Sequence, residues 1–196
     1  MQKRAEDFGI TIGSLKKGAL NKITDVKGVT VGHCTVDNEN NHTGVSVIIP
    51  QEKNMFTHKL PCAQFVINGY GKTAGLMQIE ELGTLETPIA ITNTLNVGLV
   101  QDALIQHMLD ACEKDGVAVT SINPVVCECN DGRINNIAKR AVREAEVEKA
   151  FQNACMDFAE GAVGGGRGTS CHGFKGGIGS ASRIVTLDGK EYTFGV

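Results

Sequence analysis

Apolar and polar positions alternate in some stretches of this chain and recur at helical spacing in others. GVTVGHCTV (28–36) and TGVSVIIP (43–50) are rich in β-branched residues and are separated by the polar DNENNH. Two such runs about a short polar connection predict an antiparallel hairpin. PCAQFVINGYGKTAGLMQIEELGTLETPIAITNT (61–94) reads as a buried strand, a glycine turn, a helix closing near Gly83 and a second apolar strand from Pro88 to Thr92. LNVGLVQDALIQHMLDACEKDG (95–116) has helical spacing, with Leu99, Ala103, Met108 and Ala111 toward one side and Gly116 as a stop. VAVTSINPVVCECNDG follows as extended chain broken at Asn123-Pro124. AVREAEVEKAFQNAC (141–155) predicts a charged helix with Val147, Ala150, Phe151 and Ala154 inward, and RIVTLDGKEYTFGV a hairpin about Asp188-Gly189. The fold class is therefore mixed α and β.

Composition narrows the function classes. At 196 residues and 41% hydrophobic content, the chain supports one core of ordinary size, so residues 1–196 are expected to form a single domain. Nineteen Lys and Arg against 22 Asp and Glu give a net charge of −3. No broad basic field follows from that balance, which argues against nucleic acid or an anionic membrane as a partner. The longest apolar runs fall far short of the roughly 20 residues of a membrane span, and MQKRAEDFGITIG lacks an apolar signal core. A cytoplasmic location is the expectation. Seven scattered cysteines without a secretory signal read as reduced thiols.

Two motifs suggest cofactors and neither is complete. GYGKTA (69–74) has the G-x-G-x-x-A spacing of a dinucleotide fingerprint, which needs a strand before it and a helix after it. A nucleotide-binding α/β protein is thus an alternative reading. Against it, the next strand ends in Thr92 and Asn93, where a ribose-binding acid belongs, and Val66 occupies the place of the first Walker glycine. Cys127 and Cys129, or Cys171 and His172, offer soft ligands without the spacing of a zinc site. No metal or other cofactor is expected.

EGAVGGGRGTSCHGFKGGIGSASR (160–183) matches neither phosphate-binding pattern. Repeated glycine lets backbones approach closely, so this block predicts tight packing against another layer or a strand lining a pocket. NPVVCECNDG (123–132) is the richest in chemistry. Glu128, Asn130 and Asp131 cluster beside a turn, where a carboxylate suits the free ammonium of a peptide substrate. The bland alternative is a solvated Glu128 and a turn at Asp131-Gly132. Asn93 is a lesser pocket candidate, equally readable as a turn or helix-cap amide.

ITIGSLKKGALNKITDVKGVTVGHCTV, TGVSVIIP, FVINGYGKTAGLMQIEELGTLETPIAITNTLNVG, NPVVCECNDG and the glycine block, in that order, resemble the DmpA-type aminopeptidases, which include L-aminopeptidase/D-amidase-esterases and β-peptidyl aminopeptidases. The resemblance runs nearly end to end. It implies an N-terminal-nucleophile hydrolase with a four-layer α-β-β-α sandwich, made as a precursor that cuts itself into two chains. The nucleophile implied is a serine opening the second chain, with an oxyanion asparagine in a segment downstream of the present residues and ahead of the cleavage site. The present chain resembles most of the first chain, so the sandwich is expected to be incomplete within it. The partners implied are that second chain, a small peptide or amino-acid amide, and further copies in a homo-oligomer. The resemblance favours Glu128 for amine recognition and places Arg133 near a family tyrosine. A non-catalytic degenerate relative is the remaining alternative.

Overall fold

The computed structural model describes residues 3–196. Strands β1 (Thr30–Asp37) and β2 (His42–Ile49) form the expected antiparallel hairpin, with Thr30 opposite Ile49 and Asp37 opposite His42. A two-residue strand β3 (Leu60–Pro61), helix α1 (Leu76–Leu82) and strand β4 (Thr84–Leu85) follow. Strand β5 (Ile89–Thr92) leads into helix α2 (Val97–Lys114), strand β6 (Val125–Glu128) and helix α3 (Glu144–Gln152). Two ribbons end the chain: β7 (Ser170–Cys171) with β8 (Phe174–Lys175), and β9 (Ser182–Leu187) with β10 (Lys190–Gly195). The last turns at Asp188 and Gly189, both at positive φ as a two-residue hairpin requires.

The main sheet runs in the order β1-β2-β5-β6. Its strands are antiparallel except for β5 and β6, a parallel pair joined by the crossover through α2. Period-two alternation sorts the residues onto two faces. Cys34, Val45, Val47, Ala90 and Val126 face α2 and α3, where they meet Val100, Ala103, Leu104, Val147 and Ala150 in the larger core. Val125 on the other face joins Met55, Ile79 and Leu85 in a smaller one. Of the helical positions expected inward, Ala103, Met108, Val147 and Ala150 are buried, while Leu99, Ala111, Phe151 and Ala154 flank the contact.

The glycine block also packs on the face opposite α2 and α3. The tight turn Gly164–Gly166 lies over β1, β2 and β5. A Cβ on Gly164 would stand 2.4 Å from Ser46 Oγ, and one on Gly165 would stand 2.6 Å from the Ile91 carbonyl oxygen. Close approach of backbones therefore accounts for these glycines. Beneath them, His33 Nε2 lies 3.0 Å from the Ala159 carbonyl and Nδ1 lies 2.8 Å from Ser46 Oγ. A carbonyl only accepts, so Nε2 carries the proton and the Ser46 hydroxyl donates to Nδ1. Burial lowers the pKa of His33. Ser46 in turn accepts from the Gly165 N–H at 3.1 Å, which fixes the turn to the sheet.

One expected element is absent. Residues 61–68 do not form a buried strand: only Leu60 and Pro61 pair with β4, and beyond them Phe65 is 86% and Ile67 92% exposed. All seven cysteines are free thiols. Among the described residues no helix is long and apolar enough to cross a membrane.

Candidate functional site

The carboxyl ends of the parallel pair β5 and β6 lie side by side, with Thr92 opposite Glu128. Ends of parallel strands are where open α/β sheets place ligand-binding groups. The ladder continues one step, as the Cys129 N–H donates to the Thr92 carbonyl at 3.0 Å. Glu128 closes β6 with a half-buried carboxylate, between the chain that follows β5 and a segment on the other flank of β6.

That segment is the glycine motif. Ala74 and Val126 exchange both backbone hydrogen bonds, so residues 72–74 run antiparallel along the outer edge of β6. This brings the Lys72 N–H to Glu128 Oε1 at 3.1 Å, while the Thr94 hydroxyl donates to Oε2. Gly71 precedes that donor, and a Cβ there would meet Oε1 at 3.4 Å, an ordinary contact. GYGKTA thus lies beside a strand edge and not after a strand, and the helix following it begins only at Leu76, with Gly75 at positive φ before it. The strand-turn-helix context of a dinucleotide fingerprint is missing. Nucleotide binding through this motif loses its structural basis.

Asn93 and Asp131 are buried and their side chains bind within the fold. Asn93 Oδ1 accepts from the Asn96 N–H at 3.1 Å, capping the turn Thr94–Asn96 that precedes α2. Its Nδ2 donates to Thr43 Oγ1 at 2.8 Å and to Asn96 Oδ1 at 3.1 Å. The Thr43 hydroxyl passes on to Asp131 Oδ2 at 2.5 Å, and Asp131 Oδ1 accepts from Asn135 Nδ2 at 3.0 Å. Asn135 Oδ1 receives the His42 N–H at 3.0 Å, while Asn96 Nδ2 donates to the Val142 carbonyl at 2.5 Å. One continuous polar chain therefore ties the start of β2, the start of α2 and the loop after β6 beneath the strand ends. Burial pushes the Asp131 carboxyl pKa up, and the hydrogen bonds from Thr43 and Asn135 oppose that only in part.

Asn130 is exposed, with its Oδ1 accepting from the Gly132 N–H at 3.0 Å in a local turn. Arg133 is exposed just beyond it. The four residues singled out from the sequence, three of them within 128–131 and Asn93 on the neighbouring strand end, are therefore close in the fold but differ in access. Glu128 and Asn130 reach the surface; Asn93 and Asp131 support from below. Sequence reading missed Thr94, the Lys72 N–H, Thr43, Asn96 and Asn135. None of these left a local signal, whereas Asn93 did, a cap amide ahead of a helical run.

The remaining soft-ligand candidates are dispersed. Cys127 packs against the smaller core and Cys129 is exposed beyond the strand end. Cys171 and His172 lie exposed at the β7-β8 turn, where His172 takes a positive φ of 49°. Among the described residues, no three His, Cys, Asp or Glu side chains are grouped to hold a metal ion. A cavity of about 440 Å3 lies away from Glu128, between the amino-terminal residues and Glu160 and Ser180; Arg4 there pairs with Glu160, and Lys17 with Glu6.

The model of peptidase family S58 matches residues 21–196. The chain is 39% identical over 203 residues to "Beta-peptidyl aminopeptidase BapA" of Sphingosinicella microcystinivorans, covering 98% of this chain and 50% of that protein. It spans about half the length of the curated relatives it matches. Its backbone superimposes on the PH0078 protein of Pyrococcus horikoshii OT3 with a TM-score of 0.94 at 48% identity, over 98% of this chain and 57% of that one. The L-aminopeptidase D-Ala-esterase/amidase of Ochrobactrum anthropi, described as a variant of the Ntn hydrolase fold, matches with a TM-score of 0.88 at 34% identity, over 99% and 56%. The mixed α/β arrangement of this chain is that of an Ntn hydrolase.

Proposed function

The chain belongs to peptidase family S58, and we propose that it supplies the amine-recognising part of an aminopeptidase releasing N-terminal amino acids from peptides, amides or esters. The observation that supports this best is the Glu128 carboxylate. It stands half-buried at the ends of a parallel strand pair, with both oxygens oriented by the Lys72 N–H and the Thr94 hydroxyl. A carboxylate accepts about four hydrogen bonds, so capacity remains for a substrate ammonium. Such a charge-assisted contact selects a free amino terminus over an acylated one.

In this reading residues 1–196 form a single domain, most of the first chain of a self-cleaving precursor. The second chain is the principal partner, and its leading serine is the nucleophile. That hydroxyl gives its proton to the serine's own α-amine or a neighbouring polar group and attacks the substrate carbonyl; the scissile C–N or C–O bond breaks, the amine or alcohol leaves with that proton, and water hydrolyses the resulting acyl-enzyme to release the amino acid and the free serine. Amide donors stabilise the oxyanion. Asn130, exposed beside Glu128, is the second candidate for contact with substrate; Asn93 and Asp131 contribute by holding the strand ends. The assembled enzyme is a cytoplasmic homo-oligomer.

The test uses the full-length protein. Glu128→Gln should lower kcat/KM toward amino-acid p-nitroanilides by roughly ten- to a hundredfold, the equivalent of about 1.5 to 3 kcal/mol for a hydrogen bond to a charged group. Self-cleavage should be spared, because the scissile bond of a precursor presents no free ammonium. An equal loss on free-amine and des-amino anilides would assign Glu128 to the fold or the chemistry.

A further inference from the structure

We infer that Thr94 is a positioning residue for Glu128, setting the orientation in which its carboxylate meets a free amino group; this rests on the amine-recognition reading above. Glu128 is held from two sides. The Lys72 N–H reaches Oε1 from the segment along the outer edge of β6, and the Thr94 hydroxyl reaches Oε2 from the turn after β5. The first support is backbone, fixed by the paired hydrogen bonds between Ala74 and Val126. Thr94 is the only side chain hydrogen-bonded to the carboxylate among the described residues.

Thr94 is itself placed firmly. It opens the short turn Thr94–Asn96, which Asn93 caps and which the buried polar chain through Thr43 and Asp131 anchors. The hydroxyl donor thus stands at the end of a rigid path that begins in β2. A glutamate has three rotatable side-chain bonds, and an unsupported one at a strand end samples several rotamers. With both oxygens engaged, the carboxylate is already oriented when an ammonium arrives, and the affinity gained comes from preorganisation. Loss of the hydroxyl should therefore appear in substrate affinity and not in bond-making steps.

In the full-length enzyme, Thr94→Val removes the donor and keeps the branched shape. The expected result is about a tenfold rise in KM for an amino-acid p-nitroanilide, with kcat, self-cleavage and hydrolysis of the matching des-amino p-nitroanilide unchanged. Thr94→Ser should restore the wild-type KM. An unaltered KM, a parallel loss on the des-amino substrate, or failure of Thr94→Ser to rescue would overturn the inference. Glu128→Gln measured alongside separates the two ideas. If Glu128→Gln discriminates between the substrates and Thr94→Val does not, only the role of Thr94 falls. If Glu128→Gln costs both substrates equally, the reading of Glu128 falls and takes this inference with it.

Discussion

Thr43 and Asp131, 88 positions apart in sequence, share a buried hydrogen bond of 2.5 Å that fastens the start of β2 to the loop after β6. Asp131→Ala would leave the Thr43 hydroxyl and the Asn135 amide without their acceptor. Stranding buried donors costs about 1 to 3 kcal/mol for each group, so chemical unfolding should show a loss of several kcal/mol. Asp131→Asn tests the charge. The folded pKa of Asp131 is raised above its ordinary 3.8, so its favourable contribution is complete below that value and is lost as pH rises through the folded pKa. The stability gap between wild type and Asp131→Asn should narrow from acid toward neutral pH. A gap that widened would mean that the ionised carboxylate is the better partner.

The glycine block makes a graded prediction. A Cβ on Gly168 would fall 2.1 Å from the His42 carbonyl oxygen and 2.8 Å from Asp131 Cβ, whereas a Cβ on Gly179 meets nothing within 4 Å. Gly168→Ala should therefore force the backbone apart and cost at least about 1 to 3 kcal/mol. Gly179→Ala should be neutral or slightly stabilising, since it reduces the freedom of the unfolded chain. Thermal unfolding of the two variants in parallel decides it; equal shifts would refute the packing account.

Glu86 provides the acid-sensitive contact. Its carboxylate is buried, which raises its pKa, but donors from Lys59 and Asn123 outweigh burial and the net shift is downward from 4.5. Lys59 Nζ lies 2.5 Å from Oε2, and the Asn123 N–H and side-chain amide both donate to Oε1. A lowered folded pKa contributes stability above the unfolded value near 4.5, lost as pH falls through the folded one. Glu86→Gln should cost about 1 to 2 kcal/mol at pH 7, with a difference that shrinks as pH falls below the ordinary 4.5 and through the lowered folded pKa. A pH-independent difference would show that charge plays no part.

What the sequence made legible was mainly local. The β1-β2 and β9-β10 hairpins, α2 and the stop at Gly83 follow from short-range pattern and turn chemistry, and each occurs where those signals place it. Phe65 and Ile67 defeated the same reasoning. An apolar run reads as a buried strand, and nothing in the run itself reveals that its neighbours leave it uncovered. The site was half visible. Glu128 stood out as a carboxylate in a polar cluster beside a turn, but the donors that orient it lie 56 and 34 positions away. Partners at that distance leave no periodic trace, and the same holds for Thr43 beneath Asp131.

The single parallel pairing in the main sheet bears on the order in which the molecule assembles. The β1-β2 hairpin closes across a few residues and is free to form within microseconds. Strand β6 reaches β5 only after the intervening chain has folded back as α2, and long closures are costlier and slower. We predict that amide protons of residues 125–128 gain protection after those of β1 and β2 in pulse-labelling refolding of the full-length protein. Protection of β6 together with the hairpin would refute this order. The carboxylate would then be among the last groups to reach its place, and a half-folded chain would hold a finished hairpin with no means of gripping an amine.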